Sequence, residues 1–413
     1  MSRTHILILG AGPTGLEAGL AAVEAGLDFT IFEMADGPAG NVRSWGHVRT
    51  FTPWSMNVSV RAGAQLAVAG IAVPDGDQCP TGHELVRDLL QPIAELAGVA
   101  PRIRYGTRVL EIGRDGLLKS DEIGTAQRGE APFRILVERA GEESLVFADV
   151  VLDCTGSYHN PNALGRSGIH APGERSVADS IVRILPDVIG NESDWAGQRI
   201  LLVGEGYSGQ TAARDLAELC SRHPDTEVTW AIRSQPPKLG EVANDPLPQR
   251  AALAAHARGL ISAATSGTAE DPGIVVRLGR SVEALRRTSA GIEVTLRGSL
   301  AGETETVVVD RIIALTGYVG DHTIYRQLQV HECWATSGPM KLSAALLASS
   351  SVDCLDQTSQ GADTLRNPEP DFFILGAKSY GRNSTYLMRV GWGQVDEVFS
   401  LLGSTPALAG ERR

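Results

Sequence analysis

Short apolar runs that stop at a glycine set the pattern of this chain. Ile6-Leu7-Ile8-Leu9 ends at a glycine loop, and apolar residues then recur at helical spacing before a second short apolar run begins. The pattern predicts a buried parallel strand, a helix and a second strand, at residues 5–9, 14–25 and 28–32. The same succession returns at residues 199–232. Each segment therefore has the order and approximate length of a strand–helix–strand unit.

The rest of the chain has shorter apolar runs, separated by polar and proline-rich stretches. These runs predict further strands at residues 101–113, 132–140, 145–152, 274–278, 291–297, 305–309, 311–315 and 372–375. Helical patterns occur at residues 83–97, 249–258, 341–348 and 385–402. The polar stretch 114–130 is predicted to be an exposed loop. Strands that alternate with helices favour an α/β fold, and 413 residues exceed one ordinary core.

The first glycine loop reads Gly10-Ala11-Gly12-Pro13-Thr14-Gly15. Its first glycine permits a tight turn, its second lets a pyrophosphate approach the backbone, and its third lets helix and strand pack closely. Glu33 follows the second strand, where a carboxylate accepts the hydroxyls of an adenosine ribose and repels a 2′-phosphate. We therefore predict an FAD or NAD site, formed by Gly10, Gly12, Pro13, Thr14, Gly15 and Glu33. A strand–glycine–helix turn without a ligand is the alternative.

The second glycine loop, Gly204-Glu205-Gly206-Tyr207-Ser208-Gly209, differs from the first in the residue after its second strand. Arg233 stands where an acid would otherwise lie, and a guanidinium grips a 2′-phosphate with two hydrogen bonds. Arg233, with Ser234 or Lys238, thus favours NADPH over NADH, and an ordinary surface arginine is the alternative. The predicted cofactor-binding residues here are Gly204, Gly206, Tyr207, Ser208, Gly209 and Arg233.

Two similar turns precede and follow the second loop. Asp153-Cys154-Thr155-Gly156 and Thr316-Gly317-Tyr318 each end an apolar strand. We predict that Thr155, Gly156, Thr316 and Gly317 pass close to bound nucleotides. A flavin reduced by a nicotinamide is the natural pairing for two dinucleotides, so the predicted cofactors are FAD and NADPH. The predicted α/β architecture is an FAD-binding Rossmann-like domain, residues 1–175 and 314–413, with an inserted, smaller NAD(P)-binding Rossmann-like domain, residues 176–313.

A third glycine-rich stretch, Gly376 to Thr385, lies between a predicted strand and the last predicted helix. A helix that begins near Thr385 would point its positive end toward the flavin pyrimidine, which becomes anionic on reduction. We therefore add Gly376, Ser384 and Thr385 to the predicted cofactor-binding residues. A simple helix cap by Ser384 or Thr385 is compatible with that role.

The irregular stretch after the first strand–helix–strand unit is the predicted active face, because long ordered loops of α/β enzymes carry function. Arg43 and Trp45 are assigned to the cofactor. Asn57 could donate a hydrogen bond to a flavin hydroperoxide, and His47 could act as an acid or base near neutral pH. Arg49 completes the catalytic candidates. Alternatively, the tryptophan belongs to the core and the arginines hold carbonyl groups or FAD phosphates.

Composition narrows the choice of partners. The net charge is −12 and the pI is about 5.3, which disfavours nucleic acid and anionic membranes, because both need basic patches.

The sequence also predicts where the protein lies. No apolar run is long enough to span a bilayer, and little precedes the first strand. Neither a membrane span nor a signal peptide is therefore predicted, and the expected location is cytoplasmic. The five cysteines include no C-x-x-C pair, and no disulfide framework, dithiol or metal site is predicted.

Together, these loops and turns resemble the flavoproteins with two dinucleotide-binding domains over most of the chain. That group includes the flavin-containing and N-hydroxylating monooxygenases and the pyridine nucleotide-disulfide oxidoreductases. The second loop is most similar to the NADPH loop of the monooxygenases, and Asp310 to Tyr318 is similar to a strand and turn of the N-hydroxylases. The chain lacks the C-x-x-C of the reductases and the F-x-G-x-x-x-H signature of the flavin monooxygenases.

The resemblance implies an FAD-dependent, NADPH-using oxidoreductase. We expect a monooxygenase that uses O2 to oxygenate a nitrogen or sulfur centre of a small molecule, by way of a flavin hydroperoxide. Three alternatives stay open: an NAD(P)H-dependent flavin reductase of a disulfide, quinone or protein electron carrier, a flavin oxidase that makes peroxide, and a non-catalytic nucleotide-binding sensor. A homodimer is compatible with the resemblance, since dimers are common among similar proteins.

Overall fold

The computed structural model describes residues 4–266, 273–299, 302–348 and 353–404, so both outermost ends of the predicted FAD-binding domain lie outside the described residues. The chain forms two compact units. The split unit comprises the chain up to Asn160 and from Tyr318 onward, and the inserted unit runs from Pro161 to Gly317. The sequence places these boundaries after residues 175 and 313. In the structure, Leu164 and Ala171 already belong to the core of the inserted unit.

The strands follow one another at short intervals, and several of them coincide with the apolar runs of the sequence. In chain order they are β1 (His5–Leu9), β2 (Asp28–Phe32), β3 (Ile103–Arg104), β4 (Thr107–Arg114), β5 (Phe133–Arg139), β6 (Glu142–Ala148), β7 (Val150–Asp153), β8 (Ile181–Val182), β9 (Arg199–Val203), β10 (Glu227–Ile232), β11 (Ile274–Leu278), β12 (Ser281–Thr288), β13 (Gly291–Arg297), β14 (Thr304–Val309), β15 (Arg311–Ala314), β16 (Glu332–Cys333), β17 (Gly338–Pro339) and β18 (Phe372–Ile374).

Ten α-helices of very different lengths lie in the described residues, and two of the four longest begin at the glycine loops. In order they are α1 (Pro13–Ala25), α2 (Gly40–Ser44), α3 (Trp54–Asn57), α4 (Val60–Val68), α5 (Gly82–Leu85), α6 (Gln91–Glu95), α7 (Tyr207–Arg222), α8 (Pro248–Ser266), α9 (Met340–Ala348) and α10 (Met388–Ser404). One turn of π-helix, Val86–Leu90, joins α5 to α6, and a turn of 3-10 helix, Gly376–Tyr380, follows β18.

Both units have the same sheet plan. In the split unit, a five-stranded parallel sheet has the order β18-β7-β1-β2-β3, and β4, β5 and β6 form an antiparallel meander. In the inserted unit, a five-stranded parallel sheet has the order β11-β10-β9-β15-β8, and β12, β13 and β14 form the corresponding meander. Because parallel strands end at one edge, each glycine loop lies at the carboxyl edge of its own sheet, where α/β folds bind ligands.

The sheet of the split unit is buried on both faces, which explains the uninterrupted apolar runs of its strands. Ile6 and Ile8 of β1 belong to a core cluster shared with α1 and α10. Leu7 and Leu9 point the other way and pack in a second cluster with residues of the meander. Burial of each large aliphatic side chain contributes about 2 kcal/mol, and this packing holds β1 and the glycine loop after it in place.

Several elements differ from their predictions. The apolar run 145–152 forms parts of two strands, β6 and β7, because the chain leaves the meander at Ala148 and enters the parallel sheet at Val150. The predicted helix 249–258 continues to Ser266 as α8, and charge-rich β12 is not predicted at all. The stretch 114–130 is not wholly exposed, because Arg128 is fully buried and its Nε donates to Glu369 Oε2 at 2.9 Å.

Candidate functional site

The first glycine loop is shaped by contacts that leave no room for side chains at two of its glycines. Gly10 has a φ of +95°, and a Cβ there would lie 2.9 Å from the carbonyl oxygen of Cys154. A Cβ at Gly15 would overlap the carbonyl oxygen of Gly10. Apart from Gly12 and its two neighbours in the chain, no described residue has an atom within 4 Å of the Cβ position at Gly12. The loop is therefore closed toward the sheet and open at Gly12, as a backbone cradle for a ligand must be.

Helix α1 begins directly at this opening. Gly12 is its extended N-cap residue and Pro13 is its first residue, so one of the unpaired N–H groups of an ordinary helix start is missing from the outset. In this described turn, no side chain caps the helix and no acidic residue lies in the first turn. The remaining N–H groups and the positive end of the helix dipole are left to an anion, which fits a pyrophosphate.

Glu33 lies just beyond β2 and is buried against the loop. Its Oε2 accepts a hydrogen bond from the N–H of Ala11 at 2.7 Å, and its Oε1 accepts one from the N–H of Ala35 at 2.9 Å. The carboxylate therefore fixes the glycine loop from within. Each carboxylate oxygen has a further lone pair, so the predicted role of Glu33 as acceptor for ribose hydroxyls stays a prediction that this geometry allows.

A buried ion pair stands behind the turn that ends β7, and the sequence analysis missed it. Lys378 Nζ donates to Asp153 Oδ2 at 2.6 Å and to Thr155 Oγ1 at 3.1 Å, and both charged side chains have no exposed surface. The Thr155 hydroxyl itself donates to Asp153 Oδ1 at 2.7 Å. The N–H of Thr155 also donates to Asp153 Oδ1, at 3.1 Å. The hydroxyl and the N–H of Thr155 are thus both committed to the ion pair.

The third glycine-rich stretch packs on the first loop. A Cβ at Gly376 would lie 2.7 Å from Thr14 Oγ1, and the Thr14 hydroxyl is 3.1 Å from that of Tyr386. The prediction that the last helix begins near Thr385 is wrong, because α10 begins at Met388. Ser384 and Thr385 precede the helix, and the N–H of Thr385 instead donates to Asn383 Oδ1 at 2.9 Å.

The two arginines of the predicted active face bind carbonyl groups and side chains of neighbouring loops. Arg43 donates through Nε to the carbonyl of Pro38 and through Nη2 to Gln91 Oε1, both at 2.8 Å. Arg49 donates to the carbonyl of Cys79 and lies 3.7 Å from a carboxylate oxygen of Glu84. These contacts agree with the alternative in which the arginines bind carbonyl groups.

The other candidates of this face divide into two kinds. Asn57 is buried, its Nδ2 donates to the carbonyl of Thr52 at 2.8 Å, and its Oδ1 accepts from the Thr52 hydroxyl at 2.8 Å. That side chain closes a local turn. Trp45 Nε1 and His47 Nε2 are buried and have no hydrogen-bond partner among the described residues. Because buried polar atoms are normally paired, these two atoms are the ones on this face that a ligand or water would satisfy.

The second glycine loop repeats the geometry of the first in the inserted unit. Gly204 has a φ of +127°, its carbonyl accepts a hydrogen bond from Trp230 Nε1 at 2.8 Å, and a Cβ at Gly209 would lie 2.5 Å from that same oxygen. Gly206 faces open space and is the extended N-cap residue of α7, which has neither a capping side chain nor an acid in its described first turn. This loop is therefore also closed toward its sheet and open toward a ligand.

Around the second loop, some of the predicted site residues are exposed and others are hydrogen-bonded to the protein backbone. Ser208 is exposed at the start of α7, and Tyr207 donates through Oη to the carbonyl of Gly240 at 2.6 Å. Arg233 is exposed directly after β10 and makes no hydrogen bond to the described residues. At the end of the unit, the Thr316 hydroxyl donates to the carbonyl of Asn162 at 3.0 Å, beside Gly317 with its φ of +82°.

The described residues offer few groups suited to thiol or metal chemistry. Burial raises the pKa of the Cys154 thiol far above its ordinary range. Hydrogen bonds from Thr336 lower the pKa of the Cys333 thiol. Within the described ranges, no three His, Cys, Asp or Glu side chains are grouped so that they could hold a metal ion, and no helix has the length and apolar character needed to cross a membrane.

Comparison with known proteins adds to this picture. Residues 8–70 match the family of NAD(P)-binding Rossmann-like domains. No curated protein matches the chain by sequence. Among solved structures, a bacillithiol disulfide reductase from Bacillus cereus has 17% identity and a TM-score of 0.69, covering 98% of this chain and 99% of its own. An ornithine N-hydroxylase from Kutzneria sp. 744 has 14% identity and a TM-score of 0.63, covering 98% and 100%. Thioredoxin reductase from T. acidophilum has 15% identity and a TM-score of 0.58, covering 97% and 98%.

These likenesses extend along the whole chain at low identity and therefore describe the fold. The chain has the α/β fold of the flavoproteins with two dinucleotide-binding domains, and the predicted fold class and resemblance are confirmed. The neighbours perform different reactions on this one fold, so the reaction has to be argued from the residues of the site.

Proposed function

We propose that the chain is an FAD-dependent oxidoreductase that uses NADPH. The observation that carries this proposal is the repeated cradle: two units each present an open glycine, Gly12 or Gly206, at an uncapped helix start. Two such cradles suit two dinucleotides. In this proposal, the predicted domain of residues 1–175 and 314–413 holds FAD and that of residues 176–313 holds NADPH, with boundaries adjusted to the compact units.

The charges beside the two cradles support this distribution of cofactors. Glu33 places a carboxylate at the ribose position of the first cradle, which disfavours a 2′-phosphate there. Arg233 places an exposed guanidinium, without a hydrogen bond to the described residues, at the corresponding position of the second. FAD has an unphosphorylated adenosine ribose and NADPH carries a 2′-phosphate, so each charge fits one of the two nucleotides.

For the reaction, we favour a monooxygenase that acts on a nitrogen or sulfur centre of a small molecule. A bound flavin supplies the redox chemistry, and the protein has to bind, orient and exclude water. All five cysteines are free, and the sequence lacks the C-x-x-C pair that a dithiol mechanism of the reductase type would use. His47 Nε2 and Trp45 Nε1, the unsatisfied atoms of the predicted active face, are the groups we expect to bind the ligand there.

A reductase is the second candidate. The likeness to bacillithiol disulfide reductase, with a TM-score of 0.69, exceeds that to the ornithine N-hydroxylase, with 0.63. The O2 co-substrate expected from the sequence belongs to the first candidate. The cytoplasmic location and the homodimer are proposed for either candidate.

The test is made on purified protein reconstituted with FAD. We expect a bound, yellow flavin that NADPH reduces without oxygen, and an absorbance band unlike that of oxidised or reduced flavin when O2 is then admitted. Full turnover without oxygen, given a disulfide or quinone acceptor, would establish the reductase instead. Protein that stays colourless after reconstitution would overturn both candidates.

A further inference from the structure

A strap of chain packs against the second glycine loop in the inserted unit. We define the strap as residues 234–240, which follow β10 and Arg233. Gln210 Nε2 donates to the carbonyls of Leu239 and Glu205, both at 2.9 Å. Together with the bond from Tyr207 to Gly240, these contacts fix the far end of the strap to the glycine loop. The near end of the strap is bound by a carboxylate of the glycine loop.

That carboxylate belongs to Glu205, the residue between the first two glycines of the loop. Its Oε2 accepts hydrogen bonds from the Ser234 hydroxyl and from the N–H of Lys238, the latter at 3.0 Å. Ser234 and Lys238 are the neighbours of Arg233 that a 2′-phosphate would use as further donors. The carboxylate of Glu205 therefore already occupies the Ser234 hydroxyl and the backbone N–H of Lys238, two donors close in sequence to Arg233.

We propose that Glu205 is a specificity-determining residue that weakens the binding of 2′-phosphorylated nucleotides relative to NAD(H). The inference rests on the proposed NADPH site and deepens it. A bound 2′-phosphate has to share or displace Glu205 at Ser234 and Lys238, and it meets the negative charge of the carboxylate across a short distance. NAD+ lacks that phosphate and meets neither obstacle. Arg233 and Glu205 thus act in opposite directions on one choice of nucleotide.

The experiment measures the affinities of NADP+ and NAD+ by calorimetry on the FAD-reconstituted protein, because these two probes differ only in the 2′-phosphate. Glu205→Gln keeps an acceptor for Ser234 and Lys238 but removes the charge, and we expect NADP+ to bind about tenfold more tightly while NAD+ changes by less than about threefold. The gain should shrink at high ionic strength. Glu205→Asp keeps the charge and should retain the preference of the unchanged protein.

Two controls separate this inference from the proposed function. Glu218→Gln removes an exposed carboxylate that pairs with Arg222 on α7, and it should change neither affinity. Arg233→Gln should weaken NADP+ by about tenfold and leave NAD+ unaffected. If Arg233→Gln has this effect but Glu205→Gln leaves the NADP+/NAD+ ratio unchanged, or shifts both affinities equally, the role of Glu205 is overturned and the NADPH site stands. If Arg233→Gln has no effect or neither nucleotide binds, the NADPH site itself is overturned, and the inference with it.

Discussion

The two units contain the same cradle built twice with different side chains around it. In both, the first glycine has a positive φ, the third lies against the carbonyl of the first, and the middle glycine faces open space. These are demands of the backbone, and every one of them recurs. The charge located after the second strand does not recur: Glu33 is buried and bonded to two N–H groups, whereas Arg233 is exposed.

The comparison separates the needs of a nucleotide fold from the features that select its nucleotide. Glycines at fixed places let a pyrophosphate reach a helix start, and any dinucleotide benefits from that. The side chain after the second strand distinguishes ribose from ribose 2′-phosphate. The inserted unit also has an acidic residue, Glu205. It lies within the glycine loop, and its carboxylate accepts a hydrogen bond from the strap. Selection can therefore be changed in either unit without changes to the cradle.

The largest effect on stability should come from substitution of Gly15, where the first glycine loop has no room for a side chain. In Gly15→Ala, the new Cβ would overlap the carbonyl oxygen of Gly10, and the backbone of the loop would have to move. We expect a loss of more than about 4 kcal/mol in the free energy of unfolding, or no folded protein. Gly209→Ala should cost less, because its Cβ would lie 2.5 Å from the corresponding oxygen. Urea unfolding followed by circular dichroism measures both.

Gly12→Ala is the matched control, because its Cβ would enter open space. The free energy of unfolding should fall by no more than about 1 kcal/mol, because alanine is a weaker N-cap residue than glycine but makes no clash here. The affinity for FAD should fall, since the methyl group lies where the pyrophosphate approaches. A Gly12 variant as unstable as the Gly15 variant would contradict the division between closed and open glycines.

The next effect concerns how the turn behind each cradle is held. Thr155 in the split unit rests on the buried pair of Lys378 and Asp153, whereas Thr316 in the inserted unit is bonded to the chain at Asn162 without a charge. Lys378→Met leaves the Asp153 carboxylate buried without its cation, and we expect a loss of about 3 kcal/mol in the free energy of unfolding. Chemical denaturation at neutral pH measures this loss.

A surface pair provides the control for the buried one. Lys341 and Asp363 form an ion pair at 3.1 Å with both side chains more than half exposed. Lys341→Met should change stability by less than about 1 kcal/mol. Equal losses for the two lysine variants would mean that the buried pair does not support the turn at Thr155.

The parts of the molecule that the sequence predicts are those with a local signal. The bounds of β1, β11 and β13 agree with their predictions, because a short apolar run closed by a glycine or polar residue is readable within its own length. The cradle glycines are readable for the same reason. The spacing of a glycine loop after such a run has few other structural explanations.

The parts that the sequence does not predict depend on distant partners. Asp153 and Lys378 are 225 residues apart, and Arg128 and Glu369 are 241 apart. Nothing near Lys378 in the sequence distinguishes a buried lysine from a solvated one in a glycine-rich turn. The signal that could have raised the question is the acid at the end of the buried strand β7, since a carboxylate in that place needs a partner. Its partner could be found only in the folded chain.

The smallest expected effect tests the inserted unit alone, through pH. Although burial would raise the pKa of Glu174, hydrogen bonds from the N–H groups of Leu164 and Ala171 and from Arg183 lower it below its ordinary value. A carboxyl with a lowered folded-state pKa stabilises fully above the unfolded pKa of about 4.5, and that contribution is lost as the pH falls through the folded value. We therefore expect acid to loosen this unit.

Glu174→Gln should cost about 1–2 kcal/mol at pH 7 and should remove part of the dependence of stability on acid. Hydrogen exchange read by mass spectrometry follows each unit separately, and we expect faster exchange in peptides of the inserted unit while those of the split unit stay unchanged. Glu218→Gln, on an exposed carboxylate of the same unit, should leave both unchanged. If Glu174→Gln speeds hydrogen exchange equally in both units, the two units do not unfold independently. Stability differences between their cradles could then not be assigned to one unit.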